Sequence, residues 1–125
     1  MKILVVDDEQ DVKLLFEQRF RKEIREGLIE IAFAFSGEEA LAYMLEYNHE
    51  VVLILSDINM PGMSGLELLK QIKLKYNQPP PLVMMITAYG DEENRNIAMA
   101  LGANDFLTKP LDFSGLKERL KHLKT

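Results

Sequence analysis

Cysteine and tryptophan are absent from this chain of 125 residues, and histidine occurs only twice. Without cysteine there are no disulfides, thiolate metal sites or thiol nucleophiles, and we expect a cytoplasmic location. His49 and His122 stand apart from any partner motif, which argues against histidine-based catalysis. No apolar run is long enough to cross a membrane, and no signal-peptide pattern follows Met1, so we predict no membrane segment.

Acidic residues outnumber basic ones by 20 to 15, which gives the chain a net charge of −5. Such a chain is repelled by phosphate backbones and anionic lipids, so we expect no direct nucleic-acid partner and no membrane partner. The length and the hydrophobic fraction of 47% predict one domain, spanning residues 1–125, with a real core.

Short apolar runs and amphipathic segments alternate five times along the chain. Apolar runs bounded by turn residues predict buried strands, here over Ile3–Val6, Ile29–Phe35, Val51–Leu55, Leu82–Ile86 and about Asn104–Leu107. The unbroken run at Val51–Leu55 indicates a central strand covered on both faces. The proline run at residues 79–81 predicts an extended connector into the fourth strand.

Amphipathic patterns and capping signals predict the helices. An apolar stripe with helical spacing marks the first one, at Val12, Leu15, Phe16, Phe20 and Ile24. Capping boxes open the second at Ser36 and the third at Ser64, which reach about Tyr47 and Tyr76. Asp91 and Asp112 cap the last two. Strict alternation predicts an α/β fold with a parallel sheet and helices on both faces.

Polar side chains follow four of the predicted strands. They are Asp7 and Asp8 after the first strand, Asp57 after the third, Thr87 after the fourth and Lys109 after the fifth. The carboxyl ends of parallel strands meet at one edge of the sheet, where open α/β sheets bind ligands. We therefore expect these side chains to share one small cleft.

The three aspartates suggest a metal site. Carboxylates within about 4–6 Å of one another repel and raise one another's pKa, which a hard divalent cation relieves. Mg²⁺ prefers oxygen ligands and keeps several waters, so Mg²⁺ or Mn²⁺ is the expected cofactor. For Asp7 and Asp8 alone, capping of the following helix is an equal alternative, and Asp57 tips the balance toward metal.

Thr87 and Lys109 add what a transferred phosphoryl group requires, a fixed cation and a hydrogen-bond donor. An aspartate carboxylate can itself be the nucleophile and form an acyl phosphate. Each residue alone is more often an ordinary loop residue, so the inference depends on their meeting.

The sequence closely resembles the receiver domain of two-component response regulators of the CheY-like kind. The matching segments are Val5–Glu9, Ser56–Gly65, Thr87–Ala88, Gly102–Phe106 and Lys109–Pro110. The resemblance implies a flavodoxin-like fold of five βα units with strand order 2-1-3-4-5. It also implies a phosphorylation-dependent switch that receives its phosphoryl group from a sensor histidine kinase or a phosphotransfer domain.

The resemblance also implies roles for the residues of the acidic cleft. Asp57 would be the phosphoacceptor, and Asp8, with Asp7 partly through water, would bind Mg²⁺ together with Asp57. Asn59 would complete the metal coordination through its backbone carbonyl, and Lys109 would pair with Asp57 and then with the phosphoryl group.

Three further roles concern the response to phosphorylation. Thr87 would bond a phosphoryl oxygen with Ala88 leaving room beside it, and Pro110 would follow a cis peptide bond. The switch aromatic of the family, often tyrosine, is Phe106 here, which has no hydroxyl. Phe106 as a plain core residue is the alternative.

Two other functions compete with the switch. A magnesium-dependent aspartyl-phosphate phosphatase would normally carry a second aspartate where this chain has Asn59, and it would have a cap segment. A phosphorylation-independent binding module would usually lack one of the acids or the lysine. We therefore expect no enzyme beyond self-phosphorylation and slow self-dephosphorylation.

The expected partners downstream are a separate output protein or a fused output domain. A homodimer through the fourth predicted helix, the fifth strand and the fifth predicted helix is a further expectation. The sequence leaves open whether the chain stands alone or belongs to a longer regulator.

Overall fold

A computed structural model describes residues 1–77 and 80–123 of the chain. It contains five strands, β1 Lys2–Val6, β2 Glu30–Ala34, β3 Val51–Asp57, β4 Leu82–Thr87 and β5 Asp105–Thr108. They form one sheet in the order β2-β1-β3-β4-β5, and each neighbouring pair is parallel. The predicted strand order is confirmed. The proline connector predicted at residues 79–81 lies partly outside the described residues, at Pro79.

Six helices cover the sheet in the described part of the chain. They are α1 Asp11–Arg19, α2 Arg21–Arg25, α3 Gly37–Tyr47, α4 Gly65–Lys75, α5 Glu92–Ala100 and α6 Phe113–His122. The single first helix predicted from the apolar stripe is wrong, because the chain leaves helical geometry at Phe20, with φ −105° and ψ 17°. Phe20 is buried there, stacked on Phe16 and edge-on to Phe113.

Serine and aspartate caps begin the later helices as predicted. The Ser36 hydroxyl accepts from the Glu39 N–H at 3.0 Å, and the Ser64 hydroxyl accepts from the Glu67 N–H at 3.2 Å. Asp91 and Asp112 accept in the same way at the starts of α5 and α6. These caps satisfy N–H groups that the first helical turn leaves free, and so they fix where each helix leaves the sheet edge.

Two apolar layers, one on each face of the sheet, form the core. One layer holds Leu4, Val6 and Ile54 with residues of α3, α4 and α5, and the other holds Ile3, Val5, Leu53 and Leu55 with residues of α1 and α6. Alternate residues of β1 and β3 thus point into opposite layers, which confirms the doubly covered central strand. None of the described helices has both the length and the apolar character to cross a membrane.

Candidate functional site

The carboxyl edge of the sheet brings the predicted acids together. Asp57 is the last residue of β3, and Asp7 and Asp8 follow β1. One carboxylate oxygen from each lies within 4.8 Å of the other two. Asp7 and Asp57 are only 4% and 6% exposed, whereas Asp8 is exposed. Three carboxylates in this space are an oxygen-only ligand set for a hard divalent cation, with an open side for waters.

Lys109 brings a positive charge into contact with this cluster. Its Nζ lies 3.2 Å from Asp57 Oδ2 and 4.0 Å from Asp7 Oδ2. The backbone N–H of Lys109 donates to the Thr87 carbonyl at 2.9 Å. This hydrogen bond joins the turn after β5 to the end of β4. The Lys109–Pro110 peptide bond is cis, as the family resemblance implied. Three acids facing one lysine leave an excess of negative charge in the cleft.

The electrostatics of Asp7 and Lys109 reflect this crowding. Burial raises the pKa of Asp7, the Glu9 N–H bonded to its carboxylate lowers it, and the charge of Asp57 raises it again. The net result is a pKa above the ordinary value. Burial lowers the pKa of Lys109, but the charge and hydrogen bond of Asp57, with Asp7, raise it by more. The site therefore favours the charged form of Lys109 and disfavours the charged form of Asp7.

The backbone behind Asp57 is packed too closely for any side chain at Gly65. A Cβ atom built on Gly65 would lie 2.0 Å from the Asp57 carbonyl oxygen, and the Gly65 N–H donates to the Ile58 carbonyl at 2.7 Å. The first residue of α4 thus holds the loop that follows β3. From the sequence, Gly65 belongs to a capping box and to the matching segment Ser56–Gly65, and its close approach to Asp57 was missed. A glycine directly after the cap serine was the signal that could have revealed it.

The end of β4 borders a cavity of about 220 Å³. Thr87 is 5% exposed, while Ala88 and Asn59 are exposed beside the cleft. The cavity is lined by Thr87, Ala88, Tyr89, Asp91, Arg95 and Thr108, among others. A buried threonine at the wall of a cavity has fewer packed neighbours on that side than one enclosed in the core.

The Phe106 side chain is partly buried. Its ring packs partly against the α3–α5 layer, and the Arg95 guanidinium lies over it, 5.1 Å from the ring centroid. The plain-core alternative therefore fits less well than a ring at a boundary. Arg95 was missed in the sequence analysis, because only the packing of α5 against β5 reveals its proximity to Phe106.

A cavity of about 590 Å³ opens on the other side of the cluster. It reaches from Asp7, Glu9 and Lys109 along α1 to Leu15 and across to Pro110. The acidic cleft is thus continuous with a groove along α1.

A doubly wound parallel sheet with three acids and a lysine at its carboxyl edge defines the receiver class. The family model for the response regulator receiver domain matches residues 3–121. The chain therefore belongs to the response regulator receiver domain family, whose setting is two-component signal transduction.

Solved structures agree with this assignment. A receiver domain from Clostridium thermocellum is 28% identical, with a TM-score of 0.85 over 98% of this chain and 92% of that one. The chemotaxis response regulator CheY4 of Vibrio cholerae is 28% identical, with a TM-score of 0.78 over 98% and 97%. A response regulator with a GGDEF domain is 26% identical with a TM-score of 0.85, and the match covers 98% of this chain but 48% of that one.

The raised pKa of Asp7 predicts a pH-dependent gain in stability from Asp7→Asn. An acid whose folded pKa lies above its ordinary value of 3.8 destabilises the fold once the unfolded chain ionises, and fully so above the folded pKa. In metal-free buffer, Asp7→Asn should raise the free energy of unfolding by urea at neutral pH. The gain should vanish on acidification below the ordinary value.

Asp8→Asn is the matched control, because Asp8 is exposed and loses less hydration on folding. Its gain at neutral pH should be smaller. An Asp7→Asn protein that is less stable than the wild type at neutral pH would contradict this view of the cluster.

Proposed function

We propose that this receiver accepts a phosphoryl group on Asp57 in a magnesium-dependent or manganese-dependent reaction and relays the signal by a change of conformation. The observation that carries the proposal is the Asp57 carboxylate, which faces Lys109 at 3.2 Å and lies among two further acids at the end of the central strand. The donor is a phosphohistidine of a sensor histidine kinase or a phosphotransfer protein. The cavity beside Asp7 and Lys109 offers that partner an approach.

The transfer is a substitution at phosphorus. A carboxylate oxygen of Asp57 forms the new P–O bond, the P–N bond of the phosphohistidine breaks, and the imidazole leaves with its electron pair and takes a proton from solvent. Asp7, Asp8, Asp57 and the Asn59 carbonyl are the groups that would hold the cation. When bound, it neutralises charge on the phosphoryl oxygens.

Lys109 and Thr87 act on the phosphoryl group from the protein side. Lys109 is already held beside the acceptor oxygen, so it needs little movement to pair with a phosphoryl oxygen. The Thr87 hydroxyl can donate to another of these oxygens only by moving toward them, past the small side chain of Ala88. Phosphorylation thus favours movement of Thr87, because the phosphoryl oxygens are new hydrogen-bond acceptors for its hydroxyl.

Phe106 carries the movement of Thr87 to the protein surface by a change in its own position. A shift of Thr87 frees space that the half-buried ring of Phe106 can enter, away from Arg95. Two packings of one ring make a two-state device, and the phosphoryl group biases it by its different contacts in the two states. The output face is therefore α5, β5 and α6, which could also pair in a homodimer or contact an output protein or a fused output domain.

We expect the cleft to act on its own aspartyl phosphate and on no external substrate. Asn59 has no acid proton to give to a leaving alkoxide. Tyr89 is 90% exposed, so it does not enclose a small substrate. Both lie where they can influence the access of water to the phosphoryl group. We place the working chain in the cytoplasm, and residues 1–125 act as one receiver domain.

Phosphorylation should depend on Asp57 and on the divalent cation. Incubated with acetyl phosphate and Mg²⁺, the wild type should gain the mass of one phosphoryl group in intact-mass spectrometry. Asp57→Asn should remove this adduct while the neutral side chain keeps the shape of the site. EDTA should suppress it in the wild type. An undiminished adduct in Asp57→Asn, or in EDTA, would contradict the assignment.

Thr87→Ala should separate phosphorylation from its relay. This variant keeps Asp57 and Lys109, so it should still bind beryllofluoride, a phosphoryl mimic. In the wild type, amide NMR shifts should extend from Thr87 through Phe106 to α5. In Thr87→Ala the shifts near Asp57 should persist and the remote ones should shrink, whereas Thr87→Ser should keep them because it retains the hydroxyl. An identical remote pattern in Thr87→Ala would refute this route.

A further inference from the structure

The edge strand β2 leaves backbone groups without hydrogen bonds. β2 pairs with β1 alone. The Glu30 N–H donates to the Met1 carbonyl at 2.8 Å, and the Ala34 carbonyl accepts from the Asp7 N–H at 3.1 Å. By the alternation of a parallel ladder, Ile31 and Phe33 then point their N–H and C=O groups away from the sheet. Within residues 1–77 and 80–123 these outward groups have no recorded hydrogen bond.

The unpaired stretch of β2 is short, because the N–H groups that flank it are already hydrogen-bonded. On one side the Ile29 N–H donates to the Glu23 carbonyl, at 3.4 Å. On the other the Phe35 N–H donates to the Glu39 carboxylate, at 3.1 Å. The segment between contains neither proline nor lysine, the residues that natural proteins use to block edge pairing. The free groups are therefore placed symmetrically about Ala32.

That symmetry suits a second copy of the same edge. In an antiparallel pair centred on Ala32, Ile31 lies opposite Phe33 of the second copy, and Phe33 lies opposite its Ile31. Residues that face each other in this way exchange two hydrogen bonds, so all the free groups of both edges are satisfied. The two side-chain pairs are aromatic on β-branched, which is a favourable cross-strand combination.

The flanking helix carries a matching charge pattern. A cavity of about 340 Å³ beside β2 is lined by Glu17, Ile24, Ile29, Ile31 and Phe33, among others. The Lys13 ammonium lies 6.0 Å from the centroid of the Phe33 ring. Lys13 and Glu17 are both exposed and stand about one helical turn apart on α1.

A two-fold axis midway between the two Ala32 residues reverses the direction of the neighbouring α1 in the second copy. Lys13 of one copy then faces Glu17 of the other, and the reverse pair forms at the same time. An arbitrary peptide would match the backbone groups but not this charge pattern. The net charge of −5 on each copy opposes association, and the short edge implies a small interface and a weak dimer.

We propose that two copies of this chain associate through their β2 edges, so that one continuous sheet crosses the dimer. The acidic cleft stays open, because β1 separates β2 from the strand that carries Asp57. This surface differs from the α5, β5 and α6 face, and the pairing does not depend on phosphorylation. Beryllofluoride should therefore leave it unchanged.

Sedimentation velocity of the full chain over a wide concentration range tests the proposal through a charge swap. The wild type should show a concentration-dependent mass between monomer and dimer. Lys13→Glu and Glu17→Lys should each weaken the dimer about tenfold, because each places like charges opposite one another twice. The double variant restores opposite charges and should return to near the wild-type value.

Net charge is controlled separately. Glu17→Lys brings the net charge of the chain closer to zero. If repulsion between the net charges governed association, this variant would form a stronger dimer, whereas the pairing of Lys13 with Glu17 predicts a weaker one. Lys70→Glu, on the exposed side of α4, changes the net charge as Lys13→Glu does and should leave the dimer intact. Ile31→Pro removes one outward N–H without touching the β1 ladder, and should give a monomer with unchanged circular dichroism.

A monomer at every concentration overturns the proposal. So does a dimer that survives Lys13→Glu and Glu17→Lys, or one that the double variant fails to restore. A dimer found only with beryllofluoride points to the α5, β5 and α6 face instead. If Ile31→Pro fails to fold, the charge swap decides the outcome by itself.

Discussion

Mutual repulsion among three carboxylates is the constraint on which this structure depends. A parallel sheet directs the ends of β1 and β3 to one edge, and so Asp7, Asp8 and Asp57 cannot avoid one another. Lys109 offsets part of the charge from the end of β5. Burial and, after it, the charge of Asp57 raise the pKa of Asp7. The excess of negative charge is what the divalent cation of the proposed function would neutralise.

The surrounding fold holds these groups in place against that repulsion. Gly65 lets α4 begin directly behind the Asp57 carbonyl, and the Lys109 N–H anchors the last turn to the Thr87 carbonyl. Two apolar layers fix β1 and β3 between them. The stability of the core therefore maintains an arrangement that the charges alone would disperse, as is common at functional sites.

Less tightly packed regions lie where a response would have to occur. Thr87 borders a cavity, and Phe106 lies between the core and the Arg95 guanidinium. These two residues have space to change position, while Asp57 and Lys109 are held. Under the proposed function, Asp57 would be the fixed acceptor while Thr87 and Phe106 would respond, and a switch requires that difference.

Much of this architecture could be predicted from the sequence, because alternating apolar runs determine a parallel sheet and its edge then determines the cleft. The break at Phe20 could not, since the apolar stripe continues through it to Ile24, and only the packing of Phe20 on Phe16 and Phe113 shows where the helix changes. Two further features needed three dimensions.

The first is the unequal burial of Asp7 and Asp8, because adjacent aspartates look alike in sequence although only Asp7 lies inside. The second is the contact between Arg95 and Phe106, which joins residues on different elements. Local sequence patterns do not show which of two adjacent residues is buried or which distant residues are in contact. Helix caps and strand ends depend on neighbours in the sequence, and the caps of α3 to α6 were predicted correctly.

The most direct test of the charge-crowded cleft is the effect of Mg²⁺ on stability. At tenfold excess over its dissociation constant, Mg²⁺ should raise the free energy of unfolding of the wild type by about 1.4 kcal/mol. Asp8→Ala should lose most of this increment. Asp11→Ala, an exposed acid on α1 outside the cluster, should keep it. Equal stabilisation of the wild type and Asp8→Ala by Mg²⁺ would contradict the account.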